Sequence, residues 1–265
     1  MKPFAPPLVA LLIFATPAFA KLEILDLQSS QGPYGPSRES FDVYPYDELF
    51  LRFRVAGAKS VDGKIKGDVT IRITSTGGKV VYNKPNRVTK ELSLGGDTFF
   101  LQGGIPLPGE FKPGAYMLHV SYRDDGSGES ASTEEKFNCL PISFQIIMPR
   151  FFRDPDFRVP AAVGGMVGEN LHIRLGAIGF DKSQKKVQTR MTCSVVDSGG
   201  NVVSTPIVTR ADLANPDEAA RAHQVVFNGA MTLNRAGDFK LRVVVEDIVG
   251  KQQATFETPL KVTNP

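Results

Sequence analysis

The chain has 265 residues, of which 42% are hydrophobic, 9% aromatic and 22% charged. These proportions are typical of a globular protein and exclude a disordered chain or a coiled coil. The formal net charge of +3 is small and the basic residues are scattered, which argues against a nucleic-acid-binding protein. Three histidines leave few ways to build a histidine-based active site or metal site.

The first twenty residues have the organisation of a secretory signal peptide. One cation, Lys2, precedes an apolar run over residues 8–15, and the segment ends in the small-residue pattern Ala18-Phe19-Ala20. The apolar run is too short to cross a bilayer, which takes about 20 residues. We therefore expect cleavage after Ala20 and an extracytoplasmic protein, periplasmic or secreted, with no transmembrane segment after cleavage.

Four sequence blocks recur along the rest of the chain at nearly constant spacing. An offset of 122 or 123 residues relates residues 48–53 to 170–175, 69–73 to 191–195, 77–81 to 199–203 and 114–120 to 237–243. Four blocks in the same order at one offset indicate a tandem duplication.

Each block alternates apolar and polar residues, which is the pattern of a half-buried antiparallel strand. Val69, Ile71 and Ile73 share one face of the first copy, whereas Thr70 and Arg72 lie on the other. The second copy repeats the alternation with Met191, Cys193 and Val195 on the inward face. The sequence therefore predicts an all-β fold of two tandem immunoglobulin-like antiparallel β-sandwiches.

Turn signals separate the predicted strands. The Gly-Gly pairs at 77–78 and 199–200 predict tight hairpins, since glycine adopts the positive φ that such turns need. The single predicted helix covers residues 212–222, with Asn215-Pro216-Asp217-Glu218 as its cap and first turn.

One strand pattern resembles a known superfamily. The sequences GAYMLHVSYRD at residues 114–124 and GDFKLRVVVED at residues 237–247 are similar to the "PG-x-Y-x-L-x-V-x-x-x-D" strand of bacterial immunoglobulin-like and fibronectin-III-like domains. The resemblance covers both copies and implies the sandwich fold, but it specifies no function. It also implies a corner role for Tyr116, whose hydroxyl would bond a nearby backbone group, whereas Phe239 has no hydroxyl.

We place the domain boundary near Pro149, so that the first sandwich covers residues 21–149 and the second covers residues 150–265. Three aromatic rings, Phe151, Phe152 and Phe157, fall at this seam. Two interpretations stay open: the rings form an interface between the sandwiches, or they complete the edge of one core.

The cysteines and histidines give no catalytic pattern. Cys193 occupies an inward strand position and Cys139 lies near the end of the first copy, so we expect buried free thiols, with a disulfide across the junction as the alternative. The three histidines, His119, His172 and His223, stand at strand positions that predict exposed side chains.

Acidic turns are the remaining candidates for a site. Asp124, Asp125 and Glu129 flank two glycines and are weak candidate ligands for Ca²⁺, which takes six to eight oxygens. The pairs Glu246-Asp247 and Asp154/Asp156 are similar candidates, and solvated hairpin turns are the alternative for all of them. We assign no catalytic residue, no cofactor-binding residue and no other metal ligand.

Two classes of function follow. The first is an exported non-catalytic binding or structural protein that contacts an unidentified protein or glycan partner through sandwich loops or strand edges. One variant is a periplasmic chaperone with two immunoglobulin-like domains, in which residues 137–147 donate a strand to a client's sheet. The second class is an enzyme, or the accessory domains of an extracellular enzyme, with carboxylates such as Asp124 and Glu129 brought together by the fold. Because no catalytic motif is present, we favour the binding protein and expect no nucleic-acid partner.

Overall fold

The computed structural model describes residues 21–265. The predicted signal peptide, residues 1–20, lies outside the described residues. Within residues 21–265, none of the helices has the length and apolar character needed to cross a membrane.

The first seven strands form two antiparallel sheets. One sheet has the order β1-β2-β5 and the other has the order β4-β3-β6-β7. The strands are β1 (Glu23–Ser30), β2 (Glu48–Ala56), β3 (Lys64–Ser75), β4 (Val80–Glu91), β5 (Phe99–Pro106), β6 (Gly114–Asp124) and β7 (Ser130–Cys139).

The next eight strands form a second pair of sheets, ordered β13-β10-β8 and β12-β11-β14-β15-β9. Only the short strand β9 pairs in parallel, along the edge of β15. The elements are β8 (Gln145–Phe152), β9 (Gly164–Met166), β10 (Asn170–Ile178), β11 (Val187–Val196), β12 (Ile207–Leu213), α1 (Pro216–Arg221), β13 (Gln224–Thr232), β14 (Gly237–Asp247) and β15 (Gln252–Thr263). The predicted all-β sandwich fold is confirmed.

Sequence alternation decides which side chains enter each core. In β6, Leu118 and Val120 are fully buried, and the corresponding Leu241 and Val243 of β14 are buried too. Burying one such side chain contributes about 1.5–3 kcal/mol, so each pair of sheets is held together by its own apolar centre. The buried residues fall into two separate clusters, one for each pair of sheets.

Corresponding strands of the two sandwiches also pair in the same register. Ile71 of β3 lies opposite Val120 of β6, and Cys193 of β11 lies opposite Val243 of β14. These two pairs are separated by the same offsets of 122 and 123 residues that relate the sequence blocks.

The predicted corner at Tyr116 is present in the geometry. The Tyr116 hydroxyl donates a hydrogen bond of 2.7 Å to the backbone carbonyl of Lys112, four residues upstream. Tyr116 is buried between two rings, with Phe111 at 4.7 Å and Phe137 at 5.6 Å between centroids. The bond therefore fixes the approach of the chain to β6.

The short helix forms where the sequence places its cap. The Asn215 side chain accepts hydrogen bonds from the backbone N–H groups of Asp217 and Glu218, at 2.9 and 3.3 Å. Proline at the start of α1 and acidic residues in its first turn stabilise the N-terminal end of this helix. The first residues of the predicted helix, 212 and 213, belong instead to β12 because they continue its pairing with β11.

Strand β8 spans the position at which we placed the domain boundary. Gln145, Ile146 and Ile147 lie opposite β10 and thus join the second pair of sheets, although they precede Pro149. The residues between β7 and β8 are therefore the link between the two sandwiches.

Candidate functional site

In the acidic turn at residues 124–129, Oδ2 of Asp124 accepts hydrogen bonds from the protein, whereas its buried Oδ1 has no hydrogen-bond partner among the described residues. The buried Asp124 carboxylate accepts hydrogen bonds from the Ser127 backbone N–H and hydroxyl, both at 2.8 Å, and from the Lys59 N–H at 3.2 Å. Asp125 forms an ion pair with Arg87, and hydrogen bonding from that guanidinium lowers the pKa of Asp125. Glu129 is exposed. Among the described residues, these three candidate calcium ligands do not form a group arranged to hold a metal ion.

The other acidic pairs behave in the same way. Asp247 accepts hydrogen bonds from the backbone N–H groups of Val249, Gly250 and Asp181, at 3.2, 3.1 and 2.7 Å. Glu246 pairs with Arg190 at 2.7 Å, and this hydrogen bond lowers the pKa of Glu246.

At the seam, the Asp154 carboxylate accepts the backbone N–H groups of Arg158 and Val159, while Asp156 is exposed. These carboxylates hold turns together. Within residues 21–265, no group of three His, Cys, Asp or Glu side chains is arranged to hold a metal ion.

Both cysteines are free and buried. Cys139 belongs to the first core and Cys193 to the second. Burial raises the pKa of Cys139 to about 11 and that of Cys193 to about 12, so both thiols are protonated at neutral pH. The two cysteines form no disulfide across the junction, and neither buried thiol is placed as a nucleophile.

The three histidines have more contacts than their strand positions suggested. His119 is half-buried on the outer face of the β4-β3-β6-β7 sheet, with Nε2 3.1 Å from the Thr74 hydroxyl and Nδ1 2.8 Å from Glu134. This order of hydroxyl, imidazole and carboxylate is that of a hydrolase triad. However, the adjoining hollow of about 220 Å³ borders Arg72 and Ser121 but does not border Thr74. His119 therefore connects three strands, a role that alternation alone did not reveal.

The aromatic rings at the seam have different roles: one completes a core, and another lies at the interface between the sandwiches. Phe151 enters the second core, whereas Phe152 belongs to neither core cluster. Phe152 lines a small hollow together with Pro33 and Tyr34, which come from the first sandwich. Phe157 packs edge-on against Phe152, with 5.4 Å between ring centroids.

Two further contacts join the sandwiches. Glu48 of β2 forms an ion pair with Arg150 of β8. The Tyr46 ring stacks on His223, with 4.9 Å between centroids and 13° between planes. Tyr46 has a φ of 70°, an uncommon value for a non-glycine residue that marks a conformation imposed by its surroundings. These contacts place the end of loop 31–47, between β1 and β2, and the start of β2 against β8 and the residue that precedes β13.

A groove of about 420 Å³ runs along this junction and is lined by both sandwiches. The first sandwich contributes loop residues, among them Glu39, Asp42 and Tyr44, and the second contributes Ile146 of β8 and residues 256–259 of β15. Four carboxylates, from Glu39, Asp42, Asp47 and Glu257, and one guanidinium, from Arg38, line it. The groove is therefore acidic, although the whole chain carries a small positive charge.

Arg38 is held beneath the groove. Its guanidinium lies 2.7 Å from Asp47, and their side chains are only 10% and 3% exposed. The same guanidinium donates at 3.3 Å to the Asp42 carbonyl and to Gln31. Asp47 neutralises Arg38, and Glu257 forms an ion pair with Arg242. The negative potential of the groove therefore comes from Glu39 and Asp42.

Asp42 and Glu39 are the carboxylates that a ligand would meet first. Asp42 accepts hydrogen bonds from the backbone and side-chain N–H groups of Asn138 through Oδ1 alone, at 2.8 and 3.1 Å. Glu39 is exposed, and the ion pairs of the described residues include neither Glu39 nor Asp42. No sequence pattern identified these residues, because loop 31–47 lacks the periodicity that reveals strands.

Comparisons with known proteins do not assign a family. No family model and no curated protein matches the sequence. The C-terminal domain of the Streptococcus pyogenes antigen I/II-family protein AspA is 11% identical, with a TM-score of 0.31, over 91% of this chain and 99% of that chain. Dimeric latent PorU from Porphyromonas gingivalis is 12% identical, with a TM-score of 0.38, over 94% of this chain and 21% of that chain.

Red sea bream transglutaminase is 12% identical, with a TM-score of 0.29, over 92% of this chain and 31% of that chain. The chain thus spans about a third of the transglutaminase. At these identities and TM-scores the matches indicate no activity, substrate or partner for this chain.

Proposed function

We propose that the protein is an exported, non-catalytic binding protein that holds a basic segment of a partner protein in the groove between its two sandwiches. In this proposal the first twenty residues are a signal peptide, and the two sandwiches are immunoglobulin-like tandem copies. The observation that carries the binding role is the acidic groove itself, since it is lined by both sandwiches and contains carboxylates without an ion-pair partner.

The charge of the groove selects the partner. A Lys or Arg side chain would find Glu39 and Asp42 at the rim, and their negative charge would repel an anionic glycan or peptide. Tyr44 and Phe256 add aromatic surface, over which a cationic group is also favoured. A protein partner with an exposed basic segment fits this lining better than a neutral glycan, which carries no charge to pair.

The contacts across the junction support the same role. The Tyr46–His223 stack and the Glu48–Arg150 ion pair join the two sides of the groove. A preformed site loses less conformational entropy on binding, so this arrangement favours affinity without further ordering.

The chaperone variant needs a strand that is free to be donated. Residues 137–139 pair with β6, whereas residues 145–147 pair with β10. Because the two ends of residues 137–147 belong to different sandwiches, this segment is not one continuous strand, which argues against the chaperone variant.

The test is a binding titration with defined probes. Hexalysine, hexaglutamate and maltohexaose are titrated by calorimetry into the chain beginning at Lys21. We expect saturable 1:1 binding of hexalysine alone, weakening as salt is raised. The double variant Glu39→Gln/Asp42→Asn should bind at least tenfold more weakly, which corresponds to about 1.4 kcal/mol.

The matched control removes two exposed carboxylates elsewhere in the first sandwich, Glu91→Gln/Glu129→Gln. If both double variants lost the same hexalysine affinity, hexalysine would bind without preference for the groove, and this would refute the proposal. Tighter binding of maltohexaose than of hexalysine would refute the choice of partner. Export is tested separately: the protein from the extracytoplasmic fraction should begin at Lys21.

A further inference from the structure

The second sandwich contains a cleft of about 440 Å³ that is separate from the junction and is lined by both apolar and polar side chains. Its lining comes entirely from residues 195–262, at one end of the sandwich. The buried Leu233, Leu260 and Val262 belong to the second core, and Ile207 and Met231 are half-buried side chains packed against that core. The cleft is therefore an opening into the hydrophobic centre of the second sandwich.

The first sandwich closes the corresponding position with a phenylalanine. Leu107 and Leu233 are equivalent, because each follows a matching strand and donates its N–H to a backbone carbonyl, of Asp47 and Glu169 respectively. Seven residues then lead from β5 to β6, but only four lead from β13 to β14. The longer connection carries Phe111 onto the ring of Tyr116, with 4.7 Å between centroids.

The shorter connection of the second sandwich has no such ring. Counting back from the equivalent glycines Gly114 and Gly237, Asn234 stands where the first sandwich has Phe111. Phe239, the counterpart of Tyr116, lines the cleft. The apolar volume is thus left open by a specific difference between the two sandwiches.

One charged residue lines the cleft. Arg235 is exposed, and its guanidinium lies 5.1 Å from the centroid of the Phe239 ring. None of the ion pairs formed by the described residues includes Arg235. The remaining polar lining is uncharged and consists of Ser204, Thr205, Thr232 and Asn234.

We propose that this cleft binds an amphiphile with a single alkyl chain and a monoanionic head group. The apolar walls take the chain, and the volume falls within the range of small-molecule sites, about 300–1,000 Å³. The Arg235 guanidinium pairs with the head group at the rim, where a carboxylate accepts two of its N–H groups. The positive charge of the lining rejects a cationic head. This site is independent of the acidic groove.

The test uses three ten-carbon probes below their micellar concentrations: decanoate, decanol and decyltrimethylammonium. Calorimetry gives the affinities, and ¹³C-methyl NMR of Met231 reports occupancy of the cleft. We expect saturable 1:1 binding of decanoate, weaker binding of decanol, and the weakest binding of the cation. The Met231 methyl signal should shift with decanoate.

Two variants and a control separate the possibilities. Arg235→Gln should weaken decanoate binding about tenfold and bring it near that of decanol. Asn234→Phe places a ring where the first sandwich has one and should abolish binding. Arg221→Gln, in α1 and outside the cleft, should change nothing.

The proposal is overturned if decanoate shows no saturable binding, or if its binding leaves the Met231 signal unmoved. It is equally overturned if Arg235→Gln and Asn234→Phe bind decanoate as the unmodified protein does. If decanoate did not bind, an apolar segment of a partner chain would be the alternative occupant of the cleft. Thermal unfolding without ligand shows that each variant is folded before titration.

Discussion

Replacing Tyr116 by phenylalanine removes one hydroxyl and tests the corner of the first sandwich. The hydroxyl donates at 2.7 Å to the Lys112 carbonyl, and the ring is only 8% exposed. The ring keeps its packing, so the loss is that of one hydrogen bond together with a carbonyl that loses its partner. Such losses amount to about 1–2 kcal/mol.

The assay exploits the distribution of fluorophores. The chain has no tryptophan, and all six tyrosines precede residue 123, so tyrosine fluorescence reports mainly the first sandwich. Tyr46, which stacks on His223, also reports the junction. With a urea m-value of about 2 kcal/mol/M, a loss of about 1.5 kcal/mol lowers the unfolding midpoint by about 0.7 M.

Tyr34→Phe is the matched control for Tyr116→Phe. Tyr34 is 56% exposed, and its hydroxyl takes part in none of the hydrogen bonds found among the described residues, so we expect its midpoint to stay within about 0.2 M of the original. If Tyr116→Phe lowered the midpoint no more than Tyr34→Phe, the corner bond would not stabilise the sandwich and the reasoning would be wrong.

Three further predictions use the same protein. Arg38→Gln leaves the Asp47 carboxylate buried without its partner and should lower the free energy of unfolding by about 3–5 kcal/mol; a loss below about 1 kcal/mol in urea unfolding would contradict a buried pair. Arg87→Gln should raise the pKa of Asp125 toward its ordinary value, as followed by NMR. Because that pKa is lowered in the folded state, the pair stabilises the fold above the ordinary carboxyl pKa and ceases to do so as pH falls through the folded pKa. This pH dependence of stability should vanish in Arg87→Gln. If it persisted, a group other than Asp125 would be responsible for it. Both buried thiols should resist Ellman's reagent at pH 8 until urea unfolds the chain; fast reaction of the folded protein would show that a thiol is accessible.

The strands could be predicted because they depend on local pattern, whereas the corner at Tyr116 was implied by the resemblance of its strand to immunoglobulin-like domains. Alternation places Val69 and Ile73 of β3 in the core, and the same rule places Met191 and Cys193 of β11 there. The cap at Asn215 is equally local, since the side chain bonds backbone groups two and three residues ahead. These features follow from residues close together in the chain.

The start of the second sandwich was harder to locate. We placed the boundary near Pro149, yet β8 continues through this position because its residues from Gln145 onward pair with β10. A proline is tolerated there, since β8 is an edge strand of its sheet.

Local patterns in the chain are enough to establish the all-β fold, the inward and outward faces of the strands, and the helix cap, because a period of two residues and a local cap need only neighbouring positions. Long-range packing, in contrast, places Asp124 and Asp247 as the carboxylates that hold turns, sets His119 between Thr74 and Glu134, and forms the groove and the cleft. These depend on residues brought together from distant positions, and on a loop three residues shorter in one sandwich than in the other. Strand periodicity reveals neither the long-range contacts nor this difference in loop length.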